Sequence, residues 1–369
     1  MPAKKQKDGR KKIQRAPRAI DLFCGCGGLT QGLKKAGFRV VWAVDNDPTA
    51  VAAYKVNHKG VKVKIADIRT LDRAKIKRQL KLKKRALDLL AGCPPCQGFS
   101  TLRTANGAYS VDDKRNNLLH QFYIFAQMLL PKTVMLENVP GLAKTHRFKI
   151  FLANMRKLGY VGEFKVLDAA DYGVPQRRRR LIYIAGHGFT ASLAAPSKRL
   201  KSVRDAIAKL PFAGRSGDPL HDLPENRSKR VSELIKKIPK NGGSRTELPD
   251  TYVLQCHKEH DGYYDVYGRM HWDEVSPTIT SGCFNPSKGR FLHPTQNRAI
   301  TMREAALLQG FPRRYRFPAP HNKISIALMI GNALPPPFIA AHAREIRNQL
   351  FSNPKKRRLK QHSQSKRLK

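Results

Sequence analysis

Apolar and polar positions alternate with a regular rhythm through the first half of the chain. "AIDLF" (19–23) is a short apolar run that stops at a glycine cluster, "CGCGG". "LTQGLKKAGF" follows with helical spacing and closes at Gly37. "VVWAV" (40–44) is a second run ending at Asp45, and "PTAVAAYKVNH" reads as a helix with Pro48 near its start. Further strands are predicted at "VKVKIAD" (61–67), "ALDLLAG" (86–92), "TVMLENV" (133–139) and "RRLIYIAG" (179–186). The segments between them read as helices: the very basic "LDRAKIKRQLKLKKR", an apolar stretch within 115–130, and "HRFKIFLANMRKLGY". Strands alternating with helices predict an α/β fold with a largely parallel sheet. Right-handed crossovers then place the carboxyl ends of the strands on one edge.

The rhythm breaks after residue 190. Residues 191–297 are rich in Pro, Gly, Asp and Asn and hold few long apolar runs. This predicts a second, less regular lobe. Helical character returns at "TMREAALLQGF" (301–311). "ISIALMIGNALPPPFIAAHAREIRNQL" reads as a buried strand or helix, a proline-rich turn and a closing helix. No internal repeat is visible. No run of about 18 apolar residues occurs, so no membrane span is expected.

Charge changes this picture most. The 369 residues carry 71 Lys and Arg against 27 Asp and Glu, a net +44. Residues 1–18 contribute +7 and residues 355–369 contribute +8, leaving +29 for the part between. A folded part this basic points to a polyanionic partner, with nucleic acid first. The tails hold almost no apolar residues and are expected to be disordered. The N-terminus has no apolar core of a secretory signal. Six cysteines, two of them in "CGC", do not look like a secreted disulfide framework, so a reducing compartment is expected.

Ligands of open α/β sheets bind beyond the carboxyl ends of strands. The predicted ends carry Phe23, Gly25, Gly27 and Gly28; Asp45; Asp67; Pro95 and Cys96; and Glu137 with Asn138. Asp45 stands twenty residues after Gly25, as an acid that could accept bonds from ribose hydroxyls would. The sixth position of the dinucleotide fingerprint is Thr30, not glycine, so a nucleoside cofactor without pyrophosphate fits better than a dinucleotide, and a plain tight turn is the other reading. Cys96, in "GCPPCQGFS", has several readings. It could pair with Cys93 as a redox dithiol, join Cys24, Cys26 and Cys93 in a four-thiolate metal site, serve as a nucleophile, or be an inert buried thiol. In "QRRRR" (176–180), strand alternation puts Arg178 and Arg180 on one face and Arg177 and Arg179 on the other, which suggests an anion site.

Six segments, in order, resemble the DNA (cytosine-5)-methyltransferase family. They are "DLFCGCGG", "PPCQGFS", "ENVPG", "QRRRR", "RAITMREAALLQGFP" (298–312) and "GNALPPP" (331–337). The resemblance covers most of residues 19–350. It implies an S-adenosylmethionine-dependent, Rossmann-like methyltransferase sheet with a smaller irregular lobe for target recognition. The implied division is a basic tail (1–18), a catalytic and cofactor domain (19–190), a recognition domain with its following motif (191–312), a closing segment (313–350) and a second basic tail (351–369). By the same resemblance Cys96 attacks cytosine, Glu137 holds the base, and Arg180 assists with Arg178 in support. Phe23, Gly25, Gly27, Gly28, Asp45, Asp67, Pro95 and Asn332 would hold S-adenosylmethionine, with no metal. The implied partner is double-stranded DNA, with the target base flipped out of the stack. A cytoplasmic bacterial modification enzyme, monomeric and paired with a restriction endonuclease, is the expected setting, or the nucleus in a eukaryotic host. A transfer-RNA methyltransferase of the same fold and a silent nucleic-acid binder are the alternatives. Against the first, Cys283-Phe284-Asn285 departs from the Cys-Phe-Thr stretch of the transfer-RNA relatives.

Overall fold

A computed structural model describes residues 15–95, 118–252, 265–318 and 322–352. Eight strands form one sheet in the order β3-β2-β1-β4-β5-β7-β6-β8. The strands are β1 (Arg18–Leu22), β2 (Arg39–Asp45), β3 (Lys62–Ile65), β4 (Leu89–Gly92), β5 (Thr133–Asn138), β6 (Tyr160–Asp168), β7 (Arg179–His187) and β8 (Thr190–Ala191). The first five are parallel, as the alternation of elements predicts. β7 then enters antiparallel between β5 and β6.

Period-two alternation sorts side chains onto the two faces of this sheet. Ile20, Leu22, Leu90, Val134, Leu136, Leu181 and Tyr183 fall in one apolar cluster. Their neighbours Ala19, Leu89, Ala91, Met135, Ile182 and Ile184 fall in another. The first cluster is closed by α3 (Arg73–Gln79), α4 (Leu118–Leu129) and α5 (His146–Lys157), which supply Ile76, Phe122, Phe125, Phe148 and Phe151. The second is closed by α1 (Gly28–Lys35) and the last helix, α10 (Pro336–Phe351), through Leu29, Leu33, Phe338 and Ile339. Full burial of a side chain such as Phe338 contributes about 1.5–3 kcal/mol.

Several elements depart from the sequence expectation. The stretch read as strand 86–92 starts only at Leu89, because Asp88 turns its carboxylate onto Arg15 and Lys132. The basic stretch 71–85 is helical only over Arg73–Gln79, since Lys81 and Arg85 adopt left-handed backbone. β6 has no counterpart among the expected strands. Its sequence, "YVGEFKVLD", has exposed Val161, Phe164 and Lys165, so it lacks the apolar run of an inner strand. The stretch "ISIALMIGN", open between strand and helix on sequence grounds, is α9 (Lys323–Asn332). The apolar span Lys323–Phe351 is mostly buried along its most apolar stretch and is broken at the turn 333–335, so it serves as core.

The described part of 192–300 contains only two short helices, α6 (Val203–Ile207) and α7 (Lys229–Lys237), with 3₁₀ turns and isolated bridges. Its organiser is a fully buried arginine. Arg269 donates to the carbonyls of Ile235, Ile238, His293 and Gln296 and to Asn297 Oδ1. α8 (Met302–Leu308) follows, and its Thr301–Glu304 capping box fixes its start.

Candidate active site

The loop after β1 begins under strain, with Phe23 at φ 62°. The Cys24 amide donates to Val44 O (3.0 Å), and the Gly25 amide donates to Asp45 Oδ2 (2.8 Å). The other oxygen of Asp45 accepts from the Asp47 amide (3.0 Å). Burial pushes the Asp45 carboxyl up on balance, and these two amides offset only part of that shift. α2 (Pro48–Asn57) then starts on an Asp47 cap. Gly27 must be glycine: its φ is 100°, and a Cβ there would lie 2.3 Å from His58 Nε2 and 2.7 Å from the Tyr315 hydroxyl. Those two side chains clamp the loop. His58 Nε2 lies 3.1 Å from Gly27 O and 2.9 Å from the Tyr315 hydroxyl, which donates to Cys26 O. Burial holds the His58 imidazole down to about 4, so it is neutral at pH 7.

Thr30, the departure from the dinucleotide fingerprint, acts beneath this loop. It is fully buried, donates to Asp21 Oδ2 (2.6 Å) and lies 2.8 Å from the Tyr54 hydroxyl. The fully buried Asp21 is pushed up to about 7 by desolvation. Sequence reasoning missed Asp21, Tyr54, His58 and Tyr315, because their partners lie up to 289 positions away. A charged residue inside the apolar run "AIDLF" was the available signal for Asp21.

The remaining candidates for the cofactor are scattered in state. The Asp67 carboxylate is bonded to Arg69, whose guanidinium holds it below the usual range. Pro95 and Asn332 are exposed, Asn332 at the end of α9. The Gly28 backbone packs against Leu334 O, so α1 starts beside the closing segment. The residues fit a nucleoside cofactor on one observation: a Cβ at Gly25 would meet no atom within 4 Å, so the loop backbone is open beside the Asp45 carboxylate.

A second group lies one to three strands from β1, on β4, β5 and β7. Cross-strand register places Gly92 beside Leu136 and Glu137 opposite Ile182. Alternation then turns Cys93, Glu137 and Arg180 to the face covered by α1 and α10. Arg180 Nε lies 2.9 Å from Glu137 Oε1, and the Cys93 thiol donates to the same carboxylate. Glu137 is 7% exposed. Burial pushes its carboxyl up, while Arg180 and Arg178 oppose that shift. The neighbouring Asn138 donates its amide to Pro94 O (2.9 Å), tying the turn after β4 to the end of β5.

Arg178 shares the face of Arg180, as alternation predicts, but it touches different atoms. Its guanidinium donates to Ile279 O (3.1 Å) and Gly331 O (2.7 Å), and it is 4% exposed. The fully buried Gln176 accepts from the Ile279 amide and donates to Leu308 O, while Gln309 donates to Ile330 O. Gln176, Arg178 and Gln309 therefore fasten the 276–281 segment, α8 and α9 to the approach to β7. Arg177 and Arg179 face outward.

Cys96 lies outside the described residues. Its neighbour Cys93 bears on the redox reading, which asks for a depressed first thiol: burial and Glu137 push Cys93 well up instead. Cys24 packs with Ala43 and Tyr54, and Cys26 donates to Met329 O. Burial raises both thiols, Cys26 to about 12. Among the described residues no cluster of three or more His, Cys, Asp or Glu side chains could hold a metal.

The family model for C-5 cytosine-specific DNA methylases matches residues 18–348. The type II methylase M.HgiDII of Herpetosiphon aurantiacus is 36% identical over 337 residues, covering 86% of this chain and 91% of that protein. The type II methyltransferase M1.HphI of Haemophilus parahaemolyticus is 33% identical, covering 89% and 86%. Among solved structures, a prophage-encoded DNA modification methyltransferase from E. coli superposes with a TM-score of 0.67 at 26% identity, covering 91% of this chain and 100% of that one. The Dnmt2 methyltransferase of S. pombe shares the fold at a TM-score of 0.57 and 20% identity.

Proposed function

We infer the roles of the site residues from one premise: the chain belongs to the C-5 cytosine-specific DNA methylase family. It is a DNA (cytosine-5)-methyltransferase that uses S-adenosyl-L-methionine. The observation that carries the residue roles is the ion pair of buried Glu137 with half-buried Arg180, beside the turn that leads to Cys96. Ring carbon C5 of cytosine is a poor nucleophile. Addition of the Cys96 thiolate to C6 forms a carbon–sulfur bond and moves electron density to C5. Glu137 holds the N3/N4 edge of the flipped base and favours protonation at N3, and Arg180 fixes the carboxylate and the base together. The bound cofactor supplies a methyl carbon activated by its sulfonium, which C5 takes. Loss of the C5 proton to a base then breaks the carbon–sulfur bond and restores both the ring and the thiolate.

Asp45 anchors the ribose hydroxyls, with Phe23, Gly25, Gly27 and Gly28 forming the cradle and Asp67, Pro95 and Asn332 its walls. Arg178 supports the site as a scaffold residue. Residues 191–297 read the target sequence, and the closing segment carries α10 back onto the catalytic domain. We place the enzyme in a bacterial cytoplasm as the monomeric modification partner of a restriction endonuclease. Bisulfite sequencing of host DNA expressing the chain should show protected cytosines at one recurring sequence. A duplex carrying 5-fluorocytosine at that site should form a covalent adduct that requires S-adenosylmethionine. Cys96→Ser should lose the adduct and Cys93→Ser keep it; survival in Cys96→Ser refutes the assignment of the nucleophile.

A further inference from the structure

The proposed catalytic roles leave one basic surface unused. Residues 73–85 carry eight Lys or Arg and no acid. Only Ile76 and Leu82 are buried, while Lys75, Arg78, Lys81, Lys83, Lys84 and Arg85 are exposed. Among the described residues none of these six has a carboxylate partner in an ion pair. The acid that follows, Asp88, is buried and already divided between Arg15 Nη1 (3.1 Å) and Lys132 Nζ (2.7 Å). Asp72, the cap of α3, lies near Lys75 and Arg78 and offsets part of their charge. The like charges from Lys81 to Arg85 repel one another, and a polyanion relieves that repulsion.

The backbone adds a second, independent observation. Lys81 (φ 48°) and Arg85 (φ 64°) are both left-handed. Such a position costs an L-residue about 1–2 kcal/mol that glycine escapes. The turn is nonetheless well held. Lys81 N donates to Arg78 O (3.0 Å), Leu82 N to Lys77 O (3.3 Å) and Arg85 N to Leu129 O (3.1 Å), with Leu82 anchored in the core. The chain keeps cations at two places where glycine fits the backbone better. What glycine cannot supply there is charge.

The location selects the kind of partner. α3 starts after the carboxyl end of β3, and the turn precedes the amino end of β4. The turn therefore sits at the amino edge of the sheet, across from Gly25, Asp45 and Glu137. β4 alone separates the two edges by about 13 Å at 3.3 Å per residue. Arg15, Arg18 and Lys132 extend the basic surface along the same edge. A duplex bound for methylation does not present the same phosphates to both edges.

We propose that the turn around Lys81–Arg85 is a phosphate-binding surface for duplex DNA outside the methylated site, engaging a second stretch of the same long molecule. It rests on DNA as the substrate class and not on the roles of Cys96 or Glu137. Its function is retention on non-target DNA between methylation events.

The test uses full-length protein and two variants, K81G/R85G and K81G/K83Q/K84Q/R85G. Binding is measured across a salt series on a short duplex holding one methylation site and on a duplex of several hundred base pairs. Each phosphate that the variant no longer neutralises should lower the slope of log affinity against log salt by about 0.9 on the long duplex. Affinity there should fall at least threefold, and more in the fourfold variant. The thermal midpoint of K81G/R85G should hold or rise, because glycine relieves the left-handed strain. Turnover on the short duplex should stay at the wild-type value. An unchanged slope and affinity on the long duplex overturns the proposal. An equal fall on both duplexes also overturns it, by placing the turn in the methylation cleft. Failure of the methyltransferase reading would show separately, as wild-type protein that leaves no protected cytosine.

Discussion

Replacing Arg178 by methionine separates scaffold from chemistry at the two arginines that share a face. The structure gives Arg178 two donor bonds, to Ile279 O and Gly331 O, inside a site that is 4% exposed. A buried hydrogen bond from a charged group contributes about 1.5–3 kcal/mol, so losing both costs about 3–6 kcal/mol. Methionine fills most of the volume, which keeps a cavity from adding to that figure. With a denaturant slope near 3 kcal/mol/M, the urea midpoint should fall by roughly 1–2 M. Turnover per folded molecule, measured at low temperature, should remain within about threefold of wild type, since no reacting atom is touched. Arg180→Gln should show the opposite pattern. Glu137 loses its 2.9 Å partner, and turnover should fall by about 100-fold or more. The midpoint should move less than for Arg178→Met, because an unpaired Glu137 can take up a proton and escape the cost of a buried charge. The two assays are urea unfolding followed by fluorescence and steady-state methyl transfer. An Arg178→Met protein with an unchanged midpoint and lost turnover would refute the division of labour and put Arg178 in the chemistry.

Three further outcomes follow from the site. Glu137→Gln should cut methyl transfer strongly while calorimetric binding of S-adenosylmethionine stays near normal, and Asp45→Ala should weaken that binding; equal binding losses in both would contradict the assignment of one carboxylate to the base and the other to the cofactor. Gly27→Ala forces a Cβ to 2.3 Å from His58 Nε2 at φ 100°. It should cost about 2–5 kcal/mol in unfolding free energy from left-handed strain and overpacking, and a wild-type midpoint would show that the clamp yields. Asp21 is held near 7 in the fold against an ordinary value of 3.8. The folded state then keeps a proton that the unfolded state has released. This contribution to stability is complete below about pH 4 and declines by about 4 kcal/mol as pH rises to 7. Asp21→Asn should flatten the difference over that window, and a wild-type pH dependence in the variant would show that Asp21 ionises freely.

The sequence by itself determined the elements whose signal is local. Apolar runs bounded by glycine or an acid place β1, β2 and β5 to within a residue or two. Period two alone places Arg178 and Arg180 on a common face, and Asp45 comes to lie against Gly25 because both stand at strand ends. Only the tertiary structure decided what those groups touch. Glu137, Arg180 and Cys93 meet because the register of β4, β5 and β7 brings three distant segments level, and no single segment encodes that register. Arg178 is drawn away to carbonyls 101 and 153 positions along the chain, so its face was legible and its partners were not. Thr30 reads as a flaw in a glycine pattern until Asp21 and Tyr54 close around it. β6 escapes notice because its pairing with β7 stabilises a strand whose own side chains remain half exposed. Propensity and periodicity act over a few residues, whereas hydrogen bonds and burial act through space. The strand edge that carries the site follows from the first, and the pairings within it follow from the second.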